Sequence, residues 1–281
     1  MGSKKLIVIT GPTASGKSAL ALRLAPRYGC DIISADSRQI YAGIPIVTAA
    51  PTPEEMALVK HHLVGCLPLD SYYSASNFEQ DSLRLISKQF EKTDVAIVCG
   101  GSMMYIDALC DGIDDLPTIP DDFRKELKEK MGVEGAEWLR EELRHLDPDY
   151  YGKVDLNNLR RVFHAVEISL YAGKPYSSLL TGKKVKRDFE IEKIVIDMPR
   201  DLLFERINRR VDAMVTAGLE KEARSVYHLR HLNSLNTVGL KEMFAWFDGT
   251  MDRHTAIERI KKNTRVYAKK QLTWIKKHYS G

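Results

Sequence analysis

A glycine-rich segment near the start of the chain constrains the fold more than any other feature. Residues 11–18 read GPTASGKS and match the pattern G-x-x-x-x-G-K-[ST] without a mismatch. The apolar run 6–9 precedes this segment, and the apolar spacing after Ser18 predicts a helix. A glycine-rich turn between a strand and a helix points backbone N–H groups and the positive end of the helix dipole into a hollow that binds phosphate. The chain is therefore predicted to carry a phosphate-binding loop within an α/β sheet.

Two side chains of this loop are expected to act on the bound phosphate. The pattern places the Lys17 ammonium at the terminal phosphate and the Ser18 hydroxyl at a Mg²⁺ ion. The loop by itself does not specify which polyphosphate is bound, nor what is done with it.

Length and composition are those of a globular protein. The 281 residues suffice for one large domain or two modest ones, and 44% of them are hydrophobic and 28% charged. No apolar run approaches the length that spans a bilayer, and no secretory segment precedes the first predicted strand. The four cysteines have neither CxxC spacing nor companion histidines. These patterns predict a cytoplasmic protein with no membrane partner and no zinc site.

Positive charge is concentrated at the C-terminus. Residues 251–281 contain nine Lys and Arg residues against two acidic ones, a net charge of +7. Because the whole chain has a net charge of +4, the first 250 residues sum to −3. A basic segment on a near-neutral body indicates a polyanionic partner, and a solvated helix face would have the same composition.

Apolar runs alternate with helical patterns along the first half of the chain. Beyond the first strand, further strands are predicted at 31–34, 62–65, 94–101 and 193–198, with helices at 17–27, 54–60, 77–91 and 103–110. This alternation predicts a doubly wound parallel sheet that binds its ligands at the carboxyl ends of the strands.

The pattern changes after Pro117. The following residues contain no convincing strand, and helices are predicted at 121–131, 134–146 and 157–171. Further helices are predicted at 200–217 and 254–278. The predicted fold is therefore a P-loop NTPase-like parallel sheet flanked by helices, with an all-helical insertion domain. Its predicted parts are the α/β core over 1–120, the insertion over 121–184, and the rest of the core with a basic C-terminal helix over 185–281.

The last predicted helix has two distinct faces. Helical spacing places its apolar face on Ile257, Ile260, Thr264, Tyr267, Ala268, Gln271, Trp274 and Ile275. A second, basic face contains Lys262, Arg265, Lys269 and Lys276. Three of these, Arg265, Lys269 and Lys276, are expected to lie opposite the apolar face, on a surface that is either solvated or available to a polyanionic partner.

Asp36 follows the second predicted strand, so it should lie beside the phosphate loop at the carboxyl edge of the sheet. A carboxylate there can take a proton from a nucleophile or hold Mg²⁺ through water, and it can also cap a turn. The neighbouring Ser37, Arg38 and Gln39 favour a functional role, because flat multidentate side chains suit base edges and phosphates.

Other candidates are polar groups that follow strands or share helix faces. Residues 100–102, Gly-Gly-Ser, follow the fourth strand and let backbone approach a ligand closely, or simply form a tight turn. Arg206 and Arg210 lie four residues apart on one helix face and suit the charge that develops on a leaving phosphate, although surface arginines of a long helix would show the same spacing. Residues 158–164 combine cations with an aromatic ring, a mixture typical of nucleic-acid contacts, while the apolar residues Val162, Ala165, Val166 and Ile168 suit the core.

Together these motifs resemble the tRNA dimethylallyltransferase family, also called tRNA isopentenyltransferases. The resemblance runs over nearly the whole chain, at residues 11–18, 36–41, 61–63, 73–78, 100–102, 155–168, 206–222, 237–242 and 264–274. It implies transfer of a dimethylallyl group from its diphosphate to the exocyclic amine of the adenine just 3′ of the anticodon. The expected cofactor is Mg²⁺ with Ser18 as its protein ligand, and the expected partners are the anticodon stem-loop and dimethylallyl diphosphate, bound by a monomer.

The same resemblance implies a role for each site residue. The implied catalytic residues are Asp36 as the general base, Thr13 near the bridging oxygen, Lys17 and Arg210. The donor diphosphate would be bound by Gly11, Pro12, Thr13, Ala14, Ser15, Gly16, Lys17, Ser18, Arg206 and Arg210. The tRNA would be contacted by Asp36, Ser37, Arg38, Gln39, Ser102, Arg124, Arg160, Arg161, Val162, Phe163 and His164.

The chain departs from the usual family pattern at three places. It has Gly-Gly-Ser-Met-Met-Tyr at 100–105 where G-G-T-G-L-Y is usual, Asn-Asn-Leu-Arg-Arg at 157–161 where N-P-R-R is usual, and Gly-Leu-Lys-Glu at 239–242 where G-Y-K-E is usual. These changes bear on tRNA preference and on the shape of the pocket, where Met103 and Met104 differ, more than on the class of reaction.

Three other functions compete with the tRNA enzyme. A relative that prenylates free adenine nucleotides and a small-molecule P-loop kinase would both leave the basic segment 251–281 without a role. A non-catalytic RNA-binding module would not require an intact Lys17, Ser18 and Asp36. The combined motifs therefore favour a tRNA-modifying enzyme.

Overall fold

Five strands form one parallel sheet in the computed structural model, which describes residues 3–114 and 116–279. The strands are β1 (Lys5–Thr10), β2 (Ile32–Ala35), β3 (His61–His62), β4 (Val95–Gly100) and β5 (Glu190–Val195). Their order across the sheet is β3-β2-β4-β1-β5, and every pairing is parallel. The predicted α/β fold with a parallel sheet is confirmed.

The two edge strands differ most from their predicted ranges. β5 begins three residues before the predicted 193–198. The prediction missed these residues because Glu190 and Glu192 occupy exposed positions, so this part of the strand is not an apolar run. Lys5 of the neighbouring strand pairs with both carboxylates, at 3.5 and 3.0 Å. β3 has only two residues, and Leu63 leaves the extended conformation with φ of 60°.

Helices cover both faces of the sheet. They are α1 (Lys17–Tyr28), α2 (Pro45–Thr48), α3 (Pro53–Leu58), α4 (Ala75–Phe90) and α5 (Met103–Asp111). Alternate residues of β1 point to opposite sides: Leu6 and Val8 join the cluster under α4 and α5, while Ile7 and Ile9 join the cluster under α1. This two-sided burial explains why the central strands are continuous apolar runs.

Residues 112–185 form a compact unit of their own, separate from the unit made of 1–111 and 186–281. Its helices are α6 (Asp121–Leu146), α7 (Pro148–Tyr151), α8 (Leu159–Ala172) and α9 (Tyr176–Leu179). α6 is broken at Gly135, whose φ of 84° is not helical, close to the predicted break after 131. The unit begins at residue 112, somewhat before the predicted boundary at 121.

The first unit ends in four further helices and two short 3-10 turns. The helices are α10 (Arg200–Thr216), α11 (Leu219–Val226), α12 (Leu240–Phe247) and α13 (Arg253–Tyr279), and the turns are Tyr227–Leu229 and Asn233–Leu235. α11 and α12 were not predicted, because eight residues span barely two turns and give little periodicity. No helix among residues 3–114 and 116–279 is both long and apolar enough to cross a membrane.

Candidate active site

The sheet order brings three loops together at the carboxyl edge of the sheet. β4 lies between β2 and β1, so the loop after each of these strands neighbours the next. These loops contain the phosphate loop 11–18, Asp36, and Gly101 with Ser102. The groups predicted to share this edge are therefore adjacent in the structure.

Glycine is required at two positions of the phosphate loop. A Cβ at Gly11 would lie 2.8 Å from the carbonyl oxygen of Ile196 and 2.9 Å from Ser15 Oγ, which is closer than real Cβ atoms approach their neighbours. Gly16 has φ of 99° and immediately precedes the first residue of α1. The backbone thereby turns tightly enough to point its N–H groups at a ligand.

Lys17 is a partly buried cation that lines a small hollow. Its Nζ donates to the carbonyl oxygen of Pro12 at 2.7 Å, and it forms no ion pair within the described residues. Burial lowers the pKa of Lys17 to about 8, and the nearby positive charge of Arg210 acts in the same direction. The hollow, called here the phosphate hollow, has a volume of about 250 Å³ and is lined by Ala14, Gly16, Lys17, Ser18, Ala19, Arg206 and Arg210.

Arg206 and Arg210 face the phosphate hollow from α10, as their spacing indicates. Arg210 Nη1 donates to Thr13 Oγ1 at 3.2 Å. Burial lowers the pKa of the Arg210 guanidinium, and the negative charge of Asp36 partly opposes this effect. Three cations thus line a hollow at the start of α1, which is an arrangement that attracts a polyanion.

Asp36 is held by its own turn. Its Oδ1 accepts the backbone N–H groups of Arg38 at 2.9 Å and Gln39 at 3.2 Å. No donor among the described residues binds its Oδ2. The turn therefore fixes the carboxylate through one oxygen and leaves the other for a ligand.

A second and larger cavity of about 310 Å³, called here the large cleft, adjoins the phosphate hollow through Arg210. Its polar end contains Thr13, Asp36 and Arg210, and its walls are mostly apolar side chains of α10, α11 and α13. Sequence reasoning missed several residues of its lining, which are Val47, Thr48, Asn236, Thr237, Lys241 and Tyr267. Two of the segments that resemble the family, 237–242 and 264–274, contain Thr237, Lys241 and Tyr267 and were the available signal.

Arg38 and Gln39 hold the walls of the large cleft. Arg38 Nη1 donates to the carbonyl oxygens of Asn233 at 2.8 Å and Ser234 at 3.1 Å. Gln39 Nε2 donates to the carbonyl oxygens of Thr48 at 3.2 Å and Ala49 at 3.0 Å. Their contact with a base stays a prediction, and their observed bonds are structural.

Ser102 also has a structural partner. Its buried hydroxyl accepts the backbone N–H of Ser37 at 2.8 Å, and its own N–H donates to the carbonyl oxygen of Ala35 at 3.1 Å. These bonds join the loops after β2 and β4 and hold Ser37 next to Asp36.

The unit of residues 112–185 contains the other predicted tRNA contacts. Arg124 donates from Nε and Nη2 to the buried carboxylate of Glu167, at 2.7 and 3.3 Å. Arg160 and Arg161 are exposed at the start of α8, and the His164 side chain is half-exposed.

Two apolar residues of the same segment lie in the core of this unit. The prediction for Val162 is wrong: its side chain is completely buried among Leu139, Leu143 and other apolar residues, so RNA cannot reach it. Phe163 packs against the same apolar cluster. A helix that presents cations on one face turns the residues between them towards the core.

The basic face of α13 is not entirely solvated. Arg265 Nη1 donates to Asn208 Oδ1 at 2.5 Å, and Lys269 lies over the Phe204 ring at 5.6 Å from its centroid. These two residues pack towards α10, which corrects the expectation that they lie free on the outer face. Tyr267, predicted on the apolar face, is half-exposed in the large cleft.

Comparison with known proteins identifies the family of this chain. A family model described as IPP transferase matches residues 39–278. The tRNA dimethylallyltransferase 2 of Parabacteroides distasonis is 52% identical, in an alignment that covers 97% of this chain and 91% of the relative.

Two solved structures extend the comparison to the fold. The crystal structure of a tRNA isopentenylpyrophosphate transferase from Staphylococcus epidermidis is 33% identical, with a TM-score of 0.68 over 97% of this chain and 90% of that one. A eukaryotic dimethylallyltransferase acting on tRNA is 28% identical, with a TM-score of 0.83 over 97% of this chain and 70% of that one. With its phosphate loop, Asp36 and arginines at one sheet edge, this chain belongs to the IPP transferase family of tRNA dimethylallyltransferases.

Proposed function

We propose that this protein transfers a dimethylallyl group from dimethylallyl diphosphate to the exocyclic amine of the adenine 3′-adjacent to the anticodon in tRNA, and releases pyrophosphate. The observation that carries this proposal is the junction of the two cavities. Arg210 lines both the phosphate hollow and the large cleft, and Thr13 and Asp36 lie at the polar end of the cleft. A diphosphate in the hollow would therefore present its first carbon to a base held beside Asp36.

The cations of the hollow stabilise the leaving group. An adenine amine is a poor nucleophile, so its attack depends on stabilising the charge that develops on pyrophosphate as the carbon–oxygen bond breaks. Lys17, Arg206 and Arg210 surround the hollow, and Arg210 is joined to the Thr13 hydroxyl at 3.2 Å. We expect Thr13 and Arg210 to bind the oxygen that departs from the allylic carbon.

Asp36 receives the proton. The amine nitrogen forms a bond to the allylic carbon, the bond from that carbon to the diphosphate oxygen breaks, and the excess amine proton passes to the carboxylate. Because the turn engages only Oδ1, the second oxygen is the acceptor we assign. Asp36 then returns the proton to solvent once the modified base leaves.

The hollow also fits a magnesium ion held mainly by the diphosphate. Ser18 lines the hollow and is exposed there, whereas no group of three or more His, Cys, Asp or Glu side chains within 3–114 and 116–279 is arranged to hold a metal. Magnesium commonly combines substrate phosphates and waters with only one or two protein ligands, and Ser18 can be such a ligand. When bound, Mg²⁺ would supply additional charge to stabilise pyrophosphate.

The tRNA is expected to reach the large cleft by extruding its target base. Extrusion costs a few kcal/mol, which contacts elsewhere must offset. Exposed cations suited to the phosphates are present on α8 (Arg160, Arg161) and on α13 (Lys270, Lys276, Lys277). We propose that the protein does this as a monomer in the cytoplasm.

One assay separates this function from its competitors. The protein is incubated with labelled dimethylallyl diphosphate and either unmodified tRNA or AMP. We expect label in tRNA alone, at the adenine 3′ of the anticodon. Label in AMP would instead identify a free-nucleotide prenyltransferase. Label in neither, together with ATP-dependent phosphorylation of a small molecule, would identify a kinase.

A further inference from the structure

One buried glutamine joins two loops of the active site. Gln271 lies on α13 and is only 3% exposed. Its Oε1 accepts the backbone N–H of Thr13 at 2.8 Å, and its Nε2 donates to the carbonyl oxygen of Gly101 at 2.8 Å. A single amide therefore bridges the loop after β1 and the loop after β4.

The position of Gly101 is adapted to this amide. A Cβ at residue 101 would lie 2.4 Å from Gln271 Nε2, and its next neighbour, the carbonyl oxygen of Gly11, would be 3.5 Å away. Even the smallest side chain at 101 would thus displace the amide before it disturbed the phosphate loop. Since Gly101 has no positive φ, the space taken by Gln271 is the reason for glycine here.

Gln271 binds the backbone of Thr13, which under the proposed function contacts the departing diphosphate. The Thr13 hydroxyl accepts from Arg210, so fixing the Thr13 backbone also fixes the hydroxyl that orients this guanidinium. An apolar residue of the same size could fill the space of Gln271, but it would leave a partly buried N–H of Thr13 and a partly buried carbonyl of Gly101 without these bonds. The bonds to Thr13 and Gly101 therefore explain why an amide, and not an apolar side chain, occupies this position.

We propose that Gln271 is a positioning residue that holds Thr13 and Arg210 in the geometry that binds the departing diphosphate. This inference rests on the proposed function. It also makes α13, the basic helix, part of the donor site, because the helix contacts the phosphate loop through this amide.

The principal test replaces Gln271 with methionine, which has a similar size and forms neither bond. We expect kcat for tRNA prenylation to fall about tenfold to a hundredfold, since displacements near 1 Å have effects of this order, while KM for tRNA changes little. The matched control is Gln89→Met. Gln89 is also buried and accepts the backbone N–H of Asp31 at 3.2 Å, but it lies at the opposite edge of the sheet. Equal kcat values for the two variants, at equal melting temperature, would overturn the proposal.

A second variant keeps Gln271 and moves only its amide. We expect Gly101→Ala to lower kcat to a similar extent, and to add little when combined with Gln271→Met, because both changes break the same bridge. Fully additive losses would overturn the proposal. This pair remains informative if Gln271→Met folds poorly.

A binding measurement separates this proposal from the proposed function. Inorganic pyrophosphate is titrated into each protein by calorimetry, with no transfer reaction involved. We expect Gln271→Met to weaken pyrophosphate binding several-fold relative to Gln89→Met. If Gln271→Met binds pyrophosphate more weakly and the wild-type protein fails to prenylate tRNA, the positioning role is supported and the proposed function is rejected. If Gln271→Met binds pyrophosphate as well as Gln89→Met does and the wild-type protein prenylates tRNA, the positioning role alone is rejected.

Discussion

The two compact units differ in the partners of their buried and partly buried charged side chains. In residues 112–185, the buried carboxylate of Glu167 accepts a hydrogen bond from Arg124 Nε at 2.7 Å, and its second oxygen lies 3.7 Å from His164 Nδ1. Burial alone would raise the pKa of Glu167, but the bonds from His164 and Arg124 outweigh it and lower the pKa. Among the described residues of the larger unit, the side chains of Lys17 and Arg210 donate only to uncharged oxygen atoms, and burial lowers the pKa of both.

This contrast separates structural charge from functional charge. A buried charge with complete partners holds a fold in one arrangement, and removing one partner is costly. A partly buried cation that is bonded to neutral oxygen atoms, and whose pKa burial lowers, is typical of a site for an anionic ligand. The unit of residues 112–185 thus contains a buried charge with charged partners, whereas the cations at the sheet edge donate to neutral oxygen atoms and, under the proposed function, bind the donor diphosphate.

The largest expected effect is at Asp36. Asp36→Asn preserves the shape of the side chain and removes the proton acceptor, so we expect turnover to fall by roughly 10²–10⁴ with tRNA affinity retained. Asp31→Asn is the matched control, because Asp31 precedes the same strand at the opposite edge and pairs with His62. Single-turnover prenylation and filter binding measure the two quantities. Near-normal turnover at neutral pH would contradict the general-base role.

The next effect tests the structural side of the contrast. Glu167→Gln removes the buried charge that Arg124 faces, and we expect a loss of about 3 kcal/mol in stability. Denaturant unfolding followed by tryptophan fluorescence measures this loss. Because the pKa of Glu167 is lowered by folding, its contribution is complete above the ordinary value of about 4.3 and disappears as the pH falls through the lower folded value. Wild type and variant should therefore converge in acid.

The control for that prediction is an exposed pair in the same unit. Glu141 lies 3.5 Å from Arg144 at the surface of α6. Glu141→Gln should change stability by less than about 1 kcal/mol, as is usual for exposed pairs. Equal losses in the free energy of unfolding for the two variants would mean that burial does not increase the stabilisation that the Glu167 charge provides.

A smaller effect tests the protonation of Lys17. Since burial lowers the pKa of Lys17 to about 8, the free lysine loses its proton above this pH, and a bound diphosphate restores it. Donor affinity should fall by up to about tenfold per pH unit above pH 8, which is about 1.4 kcal/mol, with uptake of up to one proton. Calorimetry in buffers of different ionisation enthalpy measures both. Lys17→Arg should bind without this pH dependence, and a wild type equally insensitive to pH would refute the assignment.

The smallest effect concerns the exposed cations of α8. Replacing Arg160 or Arg161 with Gln should lower the slope of log K for tRNA against log salt by roughly 0.7–0.9 for each phosphate that the side chain neutralises. Arg144→Gln, which removes an exposed cation already paired with Glu141, should leave the slope unchanged. An unchanged slope in all three variants would show that the start of α8 does not bind the tRNA backbone.

Local order explains which parts of the site were predictable. The phosphate loop and Asp36 each follow a buried strand directly, so their position at the sheet edge follows from chain order alone. The walls of the large cleft come from separated segments, and no local pattern links Val47 to Asn236 or Tyr267. Val162 was assigned to tRNA only through the family resemblance, whereas its apolar spacing with Ala165, Val166 and Ile168 indicated the core position that the structure shows.

The sequence by itself determined the α/β class with a parallel sheet, the glycine-rich turn of residues 11–18 and the position of Asp36 at the end of a strand, because each leaves a local pattern in the chain: apolar runs that alternate with helical spacing, closely spaced glycines, and a polar residue directly after an apolar run. Only the tertiary structure decided what the side chains of distant elements bind. Periodicity placed Gln271 on a buried face, but it could not show that the buried amide bonds to Thr13 and Gly101. Periodicity records whether a residue avoids water, whereas the partner of a buried polar atom depends on how separate elements pack together.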